Sequence, residues 1–157
     1  MCRDDRYHAI HEAAHVVMFL EAGITPTRVA IGRHLLGTFG RTEHDDDEYQ
    51  HCSSEGILRM KVAGYLGTRL NGYHDLTVSE TLEELEFEEP PYGSDEWWVW
   101  DDAYSLAEVL TAESDALAIL KSKQDLVIAL ADEILARRDL GADDIQAVVR
   151  AFEVEMR

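Results

Sequence analysis

Residues 4–23 read DDRYHAIHEAAHVVMFLEAG, and the rest of the chain is interpreted outward from them. Tyr7, Ile10, Ala14, Val17 and Met18 recur at helical spacing, Gly23 stops the run and Pro26 confirms the break. A helix over 4–22 is therefore predicted. Within it lies His11-Glu12-Ala13-Ala14-His15. Residues four apart stand one turn apart on a helix face, so two imidazoles so placed can meet one tetrahedral zinc ion. Glu12 follows the first histidine. Its carboxylate can take a proton from a metal-activated water and hand it to a leaving amine. The competing interpretation is two solvated helix histidines with a glutamate beside them. His8, one turn before His11, is either a supporting group for the metal or another solvated histidine.

Two histidines hold zinc weakly, so a third ligand is needed. No histidine follows His15 until His34. The candidates from the residues alone are Asp101, Asp102, His34, His44, His51 and His74.

Beyond Pro26, residues 28–42 look extended and predict two short strands. Residues 43–52 form a polar, acidic loop. Ser53 or Ser54 caps a second helix over about 54–71, closed by Asn71-Gly72. Residues 75–96 are strongly acidic, with Glu80 to Glu89 read as a frayed helix or a loop because like charges repel there. A third helix is predicted from Ser94 or Asp95 to about Leu110, and a fourth over about 114–138. A last helix starts at Asp143 or Asp144 and runs to about Glu155. With no repeat or linker, residues 1–157 are read as one domain, mainly helical with a small sheet (α+β).

The chain carries 14 basic and 32 acidic residues, a net charge of −18. Such a charge repels phosphate backbones and anionic headgroups, which argues against nucleic-acid binding except by mimicry, and attracts Lys- or Arg-bearing peptides. Cys2 and Cys52 make no disulfide framework, which suits a reducing, cytoplasmic setting. The start of the chain shows no secretory signal, and Val16 to Leu20 is too short an apolar run to span a bilayer. No membrane anchor is expected. Gly32 and Gly37 have P-loop spacing, but Thr38-Phe39 follow in place of Lys-Ser or Lys-Thr, so ATP binding is not expected.

Five stretches, in order, resemble the peptidase domain of the FtsH-type AAA+ zinc proteases. HEAAHVVMFLEAG (11–23) resembles the family's HEAGH helix, and VAIGRHLLGTFGRT (29–42) is similar to its strand, glycine-bearing loop and strand. Val62 to Gly67 sits where the family has LGGRAAE. Trp100-Asp101-Asp102-Ala103 with Leu106 and Ala107 looks like its NDLxxAT segment. Residues 118–145 resemble its closing helices. The resemblance implies a zincin-like fold and makes the aspartate of the NDL segment the third zinc ligand. Asp102 is preferred to Asp101, because Ala103, Leu106, Val109 and Leu110 then fall at the following apolar positions. It also suggests that Val29, Ala30 and Ile31 bind substrate backbone by edge addition. The departures are Ala14 for the family's glycine, Thr68 for the acidic residue closing LGGRAAE, and the lack of an ATPase module.

These observations lead to a zinc metalloendopeptidase acting on extended or unfolded polypeptides. Zn2+ would be held by His11, His15 and Asp102, with Glu12 as base and then acid. A homo-oligomer stays open. The alternatives are a weak or inactive peptidase-like module that binds protein partners, and an acidic mimic of DNA. Trp97, Trp98 and Trp100 are read as packing before they are read as a peptide-binding wall.

Overall fold

The HEAAH stretch lies on a 19-residue helix, α1 (Arg3–Glu21), in a computed structural model that describes residues 3–34 and 37–155. Ala9, Ile10, Ala13, Ala14, Val16, Val17 and Met18 are each at most 1% exposed. Successive residues step 100° around a helix, so these positions span an arc of about 200°, and buried His11, Glu12 and Phe19 widen it to about 280°. α1 is therefore a central helix rather than a surface one with a single apolar stripe.

On one side it covers an antiparallel sheet of β1 (Arg28–His34), β2 (Gly37–Glu43) and β3 (Asp139–Gly141), in the order β2-β1-β3. Val29 pairs with Thr42 and Ile31 with Gly40 across β1 and β2, and Val29 also pairs with Leu140. The two strands expected over 28–42 are present. β3 was not expected; three residues are too few to show a period of two.

Against the rest of α1 pack α3 (Ser54–Leu70), α6 (Leu106–Ser122) and α7 (Gln124–Arg137). α3 begins where expected, with the Ser53 hydroxyl accepting from the Gly56 N–H. Its close approach to α1 needs Gly67, where an added Cβ would sit 2.4 Å from the Ala14 Cβ. Buried Leu120, Leu130, Ile134, Leu140 and Ile145 complete the same core, with α8 (Ala142–Glu155) on its outer side.

Four expectations need correction. The acidic loop at 43–52 contains a short helix, α2 (Asp46–Gln50), capped by the Asp45 carboxylate. The frayed segment contains an ordered helix, α4 (Val78–Glu84), held by a capping box between Thr77 and Glu80. The third helix splits: α5 (Asp95–Asp101) ends before Ala103, which takes a left-handed φ of 58°. α6 then restarts under its own capping box of Ser105 and Glu108, and Lys123 divides it from α7, where one helix over 114–138 was expected. Among the described residues no helix is long and apolar enough to cross a membrane.

Candidate metal centre

α1 sets His11 and His15 one turn apart, and their Nε2 atoms come within 3.2 Å of each other. Asp95, the first residue of α5, brings its Oδ2 to 3.0 Å from His11 Nε2 and 3.1 Å from His15 Nε2. The three atoms form a nearly equilateral triangle. Ligands around a tetrahedral zinc at about 2.0–2.1 Å are separated by about 3.3–3.4 Å, so the triangle has close to the size that such an ion requires. Among the described residues this is the one group of three such side chains able to hold a metal ion.

The rings are oriented by two different means. His15 Nδ1 donates to the Met60 carbonyl at 2.8 Å, which leaves the Nε2 lone pair of the neutral ring facing the cluster. His11 Nδ1 is buried with no partner among the described residues, so that ring is held by packing. Tyr65 meets it edge-on with centroids 4.9 Å apart, and Tyr7 stacks at 6.2 Å. At Gly64 a Cβ would lie 2.3 Å from His11 Cε1 and Nε2, so the ring occupies the space that any other residue's side chain would fill.

Electrostatically the cluster is disposed to hold positive charge. Burial raises the Asp95 carboxyl, but the two histidines outweigh it and hold the group well below the usual carboxylate range. Burial lowers the His15 imidazole, and Asp95 outweighs that, with help from Glu12 and the Met60 carbonyl, so its pKa is pushed up to about 9. A proton and a metal ion compete for the same nitrogen lone pair. The Asp95 side chain stays 23% exposed, which leaves one side of the cluster open.

Glu12 is buried, and it lies against β2. The Thr42 hydroxyl donates to its Oε2. Gly40 supplies the room: a Cβ there would be 2.7 Å from Glu12 Cγ and 2.8 Å from Oε1. Gly40 and Thr42 are two apart on a strand, so both face α1.

Of the expected site residues, His11 and His15 converge, and Glu12, on the same helix, turns its carboxylate toward β2. Asp102 is not with them: it pairs with Lys61 Nζ and is 45% exposed. Asp95 occupies the place expected of Asp102. The choice of Asp102 assumed one continuous helix after it, and the break at Ala103 removes that periodicity. Asp101 is exposed at the end of α5. His44 stacks between Phe19 and Tyr49, His51 and His74 are exposed, and the side chain of His34 lies outside the described residues, as does Cys2.

Edge addition at Val29, Ala30 and Ile31 is also corrected. β1 is the middle strand, paired with β2 on one side and β3 on the other, and the Ile31 N–H donates to the Arg138 carbonyl. The edge strand beside Glu12 is β2. Thr68, in the position of the resemblance's acidic residue, donates to Asp75 at 2.6 Å, so a carboxylate reaches this region from a different part of the chain. Trp97 and Trp100 are anchored by their indole N–H groups to Glu89 and the Phe87 carbonyl, whereas Trp98 is 46% exposed.

No family model matches the chain, and no curated protein matches it.

Proposed function

We propose that this protein is a zinc-dependent metallopeptidase that cleaves extended or unfolded polypeptides. The observation that carries the proposal is the convergence of His11 Nε2, His15 Nε2 and Asp95 Oδ2, with Glu12 on the same helix as both histidines. The donor set suits zinc, whose common ligands are imidazole and carboxylate. Three protein ligands leave a tetrahedral position for water or substrate. What zinc supplies in such a site is Lewis acidity, toward water and toward a peptide carbonyl.

The chain's own residues do the rest. Glu12 takes a proton from the attacking water and returns it to the amine nitrogen released when the peptide bond breaks. Among the described residues β2 is an outer strand of the sheet, and an extended substrate can add beside it as a further strand, passing Glu12. The ordered segments that resemble the FtsH-type peptidase domain support the same interpretation, within a zincin-like fold and a cytoplasmic setting.

The test is direct. Protein purified with zinc should carry about one metal per chain and cleave casein or an unstructured peptide. A chelator and Glu12→Gln should each abolish cleavage. Persistent cleavage in Glu12→Gln protein would sink the proposal.

A further inference from the structure

We propose that Thr42 is the positioning residue for the base: its hydroxyl holds Oε2 of Glu12, which leaves Oε1 as the oxygen that exchanges protons. This rests on the peptidase reading above. A glutamate has three side-chain torsions, so a base on one must be pinned before it can meet water at a defined angle. Glu12 is 6% exposed, and a carboxylate so enclosed requires donors. Thr42 supplies one.

The rest of the contact is shaped for the same purpose. Gly40 lies two residues before Thr42 on the same strand face, and its bare backbone admits the Glu12 side chain. Thr42 is opposite Val29 in the register, and Val29 is fully buried, so β2 is clamped here against the central strand. β2 is also the sheet edge. The strand available to an extended substrate is therefore the strand that orients the base. The plainer alternative is that Thr42 is a β-branched strand residue whose hydroxyl has found a convenient acceptor.

Thr42→Val removes the hydroxyl and keeps the shape, and Thr42→Ser keeps the hydroxyl. In the zinc-loaded full chain, with a quenched fluorescent unstructured peptide, Thr42→Val should lower kcat by about tenfold or more with KM within about twofold. Thr42→Ser should stay within about threefold of the parent. Zinc content should match the parent in both. A second measurement is independent of turnover: Thr42→Val should lower the melting temperature of the parent but not of a Glu12→Ala background, since the two changes remove one contact. Full kcat in Thr42→Val beside an inactive Glu12→Gln would overturn the assignment. So would Thr42→Ser as impaired as Thr42→Val, or melting shifts that simply add. A zinc-loaded parent inert toward unstructured peptides would instead overturn the peptidase reading, and this assignment with it.

Discussion

Asp95 and Asp102 stand seven residues apart, at the first residue of α5 and just past its last, and they serve different neighbours. Asp95 meets His11 and His15, and Asp102 meets Lys61. Asp95→Ala should therefore lose most of the bound zinc, whereas Asp102→Asn should keep about one ion per chain, as read by elemental analysis after dialysis. Retention of zinc by Asp95→Ala would remove it from the ligand set. The pair of His15 and Asp95 also fixes a pH dependence. In the metal-free protein the His15 pKa is raised, from about 6.5 in an unfolded chain to about 9. Its contribution to stability is complete below pH about 6.5 and is lost as pH rises through about 9. The Asp95 pKa is lowered, so the same interaction, seen from its other partner, is present above the usual carboxylate range near pH 4 and lost as pH falls below it. Zinc held as proposed would displace the His15 proton, so the alkaline decline should be confined to metal-free protein. Thermal melts at pH 6 and pH 9.5, with and without zinc, check this; an equal decline in both forms would contradict it. At this scale the sequence was legible where spacing alone sets geometry, as for the pairing of His11 with His15. It was not legible for Asp95, since nothing local distinguishes an aspartate that meets the two histidines from one that merely starts a helix, favoured there by the dipole.

At the scale of elements, the decisive event is the break between α5 and α6. Ala103 holds a φ of 58°, a conformation that costs an alanine about 1 kcal/mol or more and a glycine almost nothing. Ala103→Gly should leave zinc content intact and stabilise the protein by up to about 1 kcal/mol, while Ala103→Val should destabilise it, both read from denaturant midpoints. A destabilising glycine would show that the turn is not strained. The signals for this break were present as Asp101-Asp102 and Ser105, but an acidic pair followed by apolar residues reads equally well as a continuous helix. α1, an uninterrupted run, and α3, which has a serine cap, were placed to within about two residues. α4 was obscured because its glutamates repel one another, and the capping box of Thr77 and Glu80 stabilises it by a term that charge counting omits.

Across the whole molecule the net charge of −18 sets a field that draws cations toward every face. For Lys-rich unstructured peptides, kcat/KM should fall about tenfold between low salt and 0.3 M salt, and uncharged peptides of equal length should change little. Equal salt responses would show that the field does not steer substrate. The mainly helical class with its small sheet was legible because apolar periodicity survives at that scale. The order β2-β1-β3 was not, because it depends on a three-residue strand that returns from the far end of the chain to close the sheet. That return completes the sheet that lies on one side of α1, while α5 packs chiefly on α3 and α4. Two of the three groups that would hold the proposed ion thus lie on the helix that carries most of the core, and the third on a two-turn segment at its periphery. Metal exchange should accordingly proceed by excursions of α5 alone, at rates set by local opening rather than by global unfolding, with the histidine pair waiting in place for the next ion.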